Sequence, residues 1–230
     1  MDQVSSLAAG GRPVQRALLG NQIADALRRE ILLGVLKPGT RMAQQQLCER
    51  FGTSRMPVRD GLRVLAHEGL LITDAGQHTI VAPLSRGDLQ DSFLIEGMLA
   101  GVAAERASKA ASEDDLDRLD GLHHRMLEAS DGRDQTLVAD LNWDLHRTIN
   151  RLSGSRKLIG ALRVVSLDLP RNYLVQMPEW NERSNAEHAV VLEAMRRRQH
   201  ETVNTLMVDH IVDSGKGLIA YLESQGLELD

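Results

Sequence analysis

Three histidines and one asparagine in the C-terminal half of the chain have types and spacing that suit a metal ion. Asn142 and His146 are four residues apart, so on a helix they share one face and reach the same ion. His188 and His210 follow in two later segments. Three imidazoles and an amide oxygen suit Zn²⁺, Ni²⁺ or a similar divalent ion, with water at open positions. The alternative is four unrelated surface or core residues, because spacing alone does not show that distant histidines converge.

A row of arginines in the N-terminal third suggests a different chemistry. Arg55, Arg59 and Arg63 follow one another at intervals of four and lie roughly on one helix face. A helix that enters the DNA major groove needs short or polar residues at its start and cations that reach phosphates and guanine edges. Ser54 and Arg55 meet that need. An amphipathic helix with a solvated arginine face is the alternative interpretation.

Composition limits the classes of protein and site. The chain has 230 residues and a net charge of −5. Residues 1–85 hold 10 Lys and Arg against 7 Asp and Glu, a net +3, whereas residues 86–230 hold 17 against 25, a net −8. This asymmetry predicts different partners for the two parts. The one cysteine, Cys48, excludes a disulfide framework and a cysteine zinc site. Apolar runs are too short to span a membrane, and we expect a cytoplasmic, nucleoid-associated protein.

Periodicity predicts a winged helix-turn-helix over residues 15–83, after a flexible N-terminus of residues 1–14. Apolar spacing favours helices at 14–36, 44–51 and 54–67. β-prone residues at 70–73 and 78–82 flank a turn that contains Gly76, which is typical of a hairpin.

Only helical periodicity follows, and residues 84–230 are predicted to form an all-α bundle of about six helices. The fold class is therefore mainly α. Pro170 and Pro178 predict a kink. The predicted helices are 86–109, 112–130, 132–152, 155–176, 180–199 and 200–225.

The N-terminal part resembles the GntR family of bacterial transcription regulators. The resemblance rests on GVLKPGTRM at 34–42, SRMPVRDGL at 54–62 and EGL at 68–70, in the family's order. It implies that the helix beginning near Ser54 reads DNA. The residues it assigns to DNA are Arg55 and Arg59 as direct contacts, Ser54 and Pro57 at the helix start against the backbone, Gly76 at the wing tip, Arg41 near the phosphates, and Gln45 where part of the family carries a base-reading arginine.

Three departures from the GntR pattern bear on the operator sequence rather than on the fold. They are Gln45, Met56 in place of the usual threonine, and Asp60-Gly61 in place of Glu-Ala.

The C-terminal part is similar to the FCD ligand-binding domain of the FadR-like subfamily. LIEGMLAGVAAER at 94–106 is similar to its first helix. The resemblance implies Asn142, His146, His188 and His210 as ligands of a divalent metal ion, Zn or Ni. Many members have Asp where this chain has Asn142, and a neutral amide is a poorer ligand than a carboxylate.

The resemblance also implies a small effector, an organic acid or similar anion bound near the metal. Ser92 stands where many members carry an arginine that grips the effector's carboxylate. Either another cation replaces that arginine, with Arg147 and Arg171 as candidates, or the effector is not a simple carboxylic acid. Trp143 is expected to pack in the core. His123 and His124 are expected to form a solvated stretch.

We therefore expect a metabolite-responsive regulator and not an enzyme, which binds a palindromic double-stranded DNA operator as a homodimer. We expect the protein to be a repressor that the ligand releases from DNA. Two alternatives remain at this point: a regulator whose metal is only structural and that has no effector, and a metal-dependent hydrolase in which the ion activates water.

Overall fold

A computed structural model describes residues 11–32, 34–83, 85–166, 175, 177, 179–227 and 229, with side chains from residue 18 onward. The chain divides into two compact units at residues 84 and 85. Of the stretch 1–14, for which the sequence predicts a flexible segment, residues 1–10 lie outside the described residues. The prediction is wrong for residues 11–14, which form the start of the first helix. Within them, every helix is too short or too polar to serve as a membrane span.

The first unit is a winged helix-turn-helix, as the sequence predicts. It contains α1 (Gly11–Leu32), α2 (Gln44–Arg50), α3 (Arg55–His67), β1 (Leu71–Thr73) and β2 (Thr79–Val81). The two strands pair antiparallel, with Ile72 opposite Ile80. Arg41 forms an isolated antiparallel bridge to Ile80, which attaches the segment before α2 to the hairpin.

The helices α1 and α3 pack closely because glycines meet where they cross. A Cβ atom at Gly61 would lie 2.8 Å from the backbone oxygen of Gly20, closer than carbon and oxygen approach. Leu27 of α1 and Val58 and Leu65 of α3 are fully buried in the same core. The glycine at position 61, a departure from the usual alanine, thus has a packing reason.

The second unit is all-α, as predicted, with six helices among the described residues. Glycines permit α4 (Arg86–Ala110) to pack tightly on α9 (His200–Ser224): a Cβ atom at Gly97 would lie 3.1 Å from the backbone oxygen of Val208. The six helices are α4 (Arg86–Ala110), α5 (Glu113–Asp131), α6 (Gln135–Leu152), α7 (Arg156–Val165), α8 (Trp180–Arg196) and α9 (His200–Ser224).

The helix predicted at 155–176 is shorter in the structure. It ends at Val165, and Ser166 has extended backbone angles. The Ser166 hydroxyl donates a hydrogen bond to Glu96 Oε1 at 2.7 Å, which holds the end of α7 against α4. Pro170 and Pro178, for which the sequence predicts a kink, lie outside the described residues.

Candidate functional site

The three predicted histidines converge at one point in the second unit. His146 lies on α6, His188 on α8 and His210 on α9, and each pair of Nε2 atoms is 3.2 Å apart. Bonds of about 2.1 Å at angles between tetrahedral and octahedral values would place the ligand nitrogens of one ion about 3.0–3.4 Å apart. The spacing of the triad therefore fits a single divalent ion.

The protonation of the triad also suits a metal. Burial lowers the pKa of His146 to about 3 and lowers the pKa of His188 well below its usual value, so both imidazoles are neutral at neutral pH. The Nδ1 atom of His210 lies 2.6 Å from Glu187 Oε2, which assigns the proton to Nδ1 and leaves a lone pair on Nε2. Converging lone pairs repel one another, and a cation removes that repulsion.

Asn142 is the predicted fourth ligand. It is one helical turn before His146 on α6, and its Oδ1 atom is buried without a hydrogen-bond partner among the described residues. A buried carbonyl oxygen normally has a partner. The coordination of an ion by Asn142 stays a prediction.

The helices α6 and α8 run in the same direction past the triad. A connection of three residues joins α5 to α6, so these neighbours are antiparallel. Arg196 of α8 bonds to Asp120 at 2.7 Å, and His123 bonds to the backbone oxygen of Asn185 at 3.0 Å, so α5 and α8 are antiparallel too. Residues one turn before His146 and one turn before His188 therefore lie on the same side of the triad.

That side carries polar residues that the sequence analysis missed. Ser184, one turn before His188, is 2% exposed, and Asn181 precedes it by three residues. The Oγ atom of Ser184 and the Oδ1 atom of Asn181 are buried and, like Asn142 Oδ1, have no partner among the described residues. The spacing 181, 184 and 188 puts one face of α8 toward this side, a signal that was present in the sequence. We call Asn142, Asn181 and Ser184 the polar row.

The predicted effector residues have different surroundings. Ser92 donates its hydroxyl to the backbone oxygen of Asp88 at 2.7 Å. Arg147 pairs with Asp144 at 3.0 Å, and its guanidinium lies 4.3 Å from the centre of the Trp143 ring. Arg171 lies outside the described residues.

Two expectations about neighbouring side chains are wrong. Trp143 is 39% exposed and not in the core, because it projects from α6 away from the buried face and stacks with Arg147. His123 is half-buried and bonded to α8, whereas His124 is exposed as expected.

Four arginines of the first unit form an exposed cationic face. Arg41, Arg55, Arg59 and Arg63 are exposed, and none of them forms an ion pair with a carboxylate among the described residues. By contrast, Arg28 is buried and paired with Glu68 and Asp25. Three of these four guanidinium groups lie on α3, and such exposed cations along one helix suit phosphates and base edges.

The other residues that are predicted to contact DNA lie at both exposed and buried positions. Ser54 occupies the N-cap position of α3, but its side chain makes no capping bond. Gly76 lies in the exposed turn between the strands. Gln45 is exposed and donates to Glu49 at 3.4 Å. Pro57 is buried with the inner face of α3, so its contribution is to packing and not to an exposed surface.

Comparison with protein families matches both units. The model of bacterial regulatory proteins of the gntR family matches residues 19–81, and the FCD domain matches residues 91–213. Among curated relatives, the Glc operon transcriptional activator of Escherichia coli K12 is 25% identical over 85% of this chain and 87% of its own length. The probable D-xylose utilization operon transcriptional repressor of Paenarthrobacter nicotinovorans is 26% identical over 70% and 71%.

Solved structures share the fold. The E. coli protein McbR/YncC is similar with a TM-score of 0.63 and 22% identity, over 90% of this chain and 98% of that one. The helix-turn-helix with its wing and the helical unit that follows it in the sequence match one family of regulators, and its members are not enzymes, which removes the hydrolase alternative. The chain belongs to the gntR family of bacterial regulatory proteins, in the group with an FCD domain, and is a DNA-binding transcription regulator.

Proposed function

We propose that the chain controls transcription by releasing or binding an operator in response to a small metabolite held beside a metal ion in the second unit. The observation that carries this proposal is the convergence of three imidazoles, one helical turn from the polar row, whose oxygen atoms are buried and have no partner among the described residues. In this proposal the protein represses transcription, and the metabolite releases the repression.

The DNA-binding surface of the proposal is the cationic face. Arg55 and Arg59 lie in the first half of α3, the part of a recognition helix that contacts base edges. Arg41, Ser54, Gln45 and Gly76 flank them along the first unit and contact the backbone or neighbouring bases. Because one such helix reads only a few base pairs, the operator is a palindrome bound by a homodimer.

The second copy packs against the second unit. On α4, Leu94, Ile95 and Met98 are 45%, 48% and 58% exposed, and their spacing makes them neighbours on the surface of the helix. Three neighbouring large apolar side chains on one helix favour an interface. A two-fold pair of these faces matches the two-fold symmetry of a palindrome.

The ion is held by His146, His188 and His210, with Asn142 as a further ligand. Zn²⁺ or Ni²⁺ fits the nitrogen-rich donor set. When bound, the ion supplies a positive charge and open coordination positions to an oxygen of the effector. That charge takes over the task of the arginine that Ser92 replaces, so an organic acid remains the proposed effector.

The polar row recognises the rest of the effector. An unmade hydrogen bond at a buried group costs about 1–3 kcal/mol, and a ligand with hydroxyl or amide groups satisfies several of these atoms together. Effector binding shifts operator affinity only through different affinities for the two states of the protein, by about 5–150-fold for typical coupling.

A regulator with a purely structural metal is the second candidate. It is favoured by the way in which the triad joins α6, α8 and α9 at a buried point. In that case chelation unfolds the second unit, and no metabolite changes operator affinity.

Thermal unfolding of the metal-loaded protein with a panel of organic acids, followed by operator titration, tests the proposal. We expect a compound that both stabilises the protein and changes operator affinity. The effect should be lost in Asn181→Ala and kept in Glu182→Ala, an exposed neighbour on α8. Stabilising compounds that never alter operator affinity would contradict the proposal.

A further inference from the structure

Met56 is an apolar side chain that points directly out of the recognition helix. It lies in the first turn of α3 and is 45% exposed. Leu65, nine residues later, is fully buried, and nine residues correspond to about 180° around a helix. Met56 is therefore opposite the packed face, at the end of the helix that enters a groove.

Met56 is also held beside a DNA-reading cation. The Sδ atom of Met56 lies 3.2 Å from the Nη2 atom of Arg59, and a thioether is only a weak acceptor. No carboxylate among the described residues pairs with that guanidinium. The two side chains thus form one small surface, half cationic and half apolar.

The major groove offers one apolar feature to such a surface. Base edges present hydrogen-bond donors and acceptors, and only thymine adds a methyl group. A methionine side chain is unbranched and polarisable, and it adapts to an apolar contact of irregular shape. We propose that Met56 contacts the 5-methyl group of a thymine while Arg59 reads a guanine. This inference rests on the proposed operator binding by α3.

The geometry also places the thymine. The two side chains touch each other, and stacked base pairs are only about 3.4 Å apart, so groups that both side chains contact at once lie within about one step of the stack. The thymine therefore belongs to the base-pair step that contains the guanine read by Arg59. Each half-site of the palindrome contains one such step.

Deoxyuridine substitution tests the contact because it removes only the methyl group. In a palindrome selected by the wild-type protein, each thymine is replaced in turn, symmetrically in both half-sites. We expect wild-type affinity to fall about three- to fivefold per half-site at one position beside the guanine, as for one buried methyl group. Met56→Ala should bind the two DNAs equally, and Met56→Leu should keep the discrimination.

Val35→Ala is the matched control, because Val35 is 67% exposed in the same unit but lies between α1 and α2. It should retain the wild-type sensitivity to deoxyuridine. Two results overturn the inference and leave operator binding intact. One is that Met56→Ala still discriminates thymine from deoxyuridine; the other is that the wild-type protein does not respond to deoxyuridine beside guanine. Failure of the wild-type protein to select any palindrome overturns the proposed function and this inference with it.

Discussion

The Nδ1 atom of His210 lies 2.6 Å from the Oε2 atom of Glu187, and the His210 side chain is 2% exposed. A carboxylate behind a metal-binding imidazole fixes its tautomer and orientation and increases its basicity. Glu187 occupies that position for the triad, one residue before His188 in the sequence.

Substitution Glu187→Gln should weaken metal binding. The amide keeps the size of the side chain but loses the charge that orients His210, and loss of such a partner typically costs about 10–100-fold in affinity. Competition with a calibrated chelator measures the change. Glu193→Gln is the control, since Glu193 lies on the same helix and pairs with Arg197 at the surface. Equal affinities for the two variants would count against a metal at the triad.

Substitution of Arg55 or Arg59 by Ala should weaken operator binding. Loss of a guanidinium that reads a guanine costs about 1–3 kcal/mol, and loss of a phosphate contact makes the salt dependence less steep. Titration of the operator at several salt concentrations separates the two effects. Arg50→Ala should change little, because Arg50 is engaged with Glu30. Wild-type affinity and salt slope in both α3 variants would exclude α3 as the reading helix.

Glu96 should give the protein a distinctive pH dependence. Burial raises the pKa of Glu96, with the Ser166 hydrogen bond opposing in part. The folded chain therefore keeps this proton at pH values where the unfolded chain has lost it, so the free energy of unfolding falls as pH rises through that window. Glu96→Gln removes this pH-dependent contribution to the free energy of unfolding. The stability of the variant relative to wild type should therefore improve from about pH 4 upward.

Thermal unfolding across that pH range measures the difference. Glu182→Gln, at an exposed position of α8, should follow the wild-type curve. Parallel curves for wild type and Glu96→Gln would show that the Glu96 carboxyl titrates as an ordinary one.

Gly61→Ala should destabilise the first unit. Its Cβ atom would meet the backbone oxygen of Gly20 at 2.8 Å, and separation of α1 from α3 costs about 1–3 kcal/mol, more than the helix propensity of Ala returns. Gly121→Ala, where an added Cβ atom meets nothing within 4 Å, should be neutral or stabilising. Unfolding in denaturant compares the two variants with wild type. If Gly61→Ala is as stable as wild type, α1 and α3 can move apart without loss of stability.

The sequence predicted most elements because their signals are local. Apolar periodicity located α4, α5, α6 and α9 to within a few residues, and turn residues located the hairpin. The end of α7 was missed, and its C-cap residue Ser166 is bonded to Glu96, which lies 70 residues away. Local periodicity carries no information about such a contact.

The candidate site was predicted in part. The histidines were identified by type and by resemblance, whereas their convergence required the parallel course of α6 and α8. Asn181 and Ser184 were missed: their spacing with His188 puts them on one helix face, but the lack of a partner for their buried atoms among the described residues is visible only in the structure. Trp143 was misplaced because its position next to Asn142, about 100° around the helix, directs it away from the metal site but does not tell core from surface, and the cation–π contact with Arg147 makes an exposed position acceptable.

Selection of fragments of the source genome by the purified, metal-loaded protein tests the central claim most directly. The account predicts enrichment of one or a few short palindromes, with a guanine and a thymine in adjacent positions of each half-site, and loss of that enrichment in an Arg55→Ala, Arg59→Ala double variant. The contradicting result is weak binding to every fragment alike, with an affinity that falls equally steeply with salt concentration for the wild type and for the double variant.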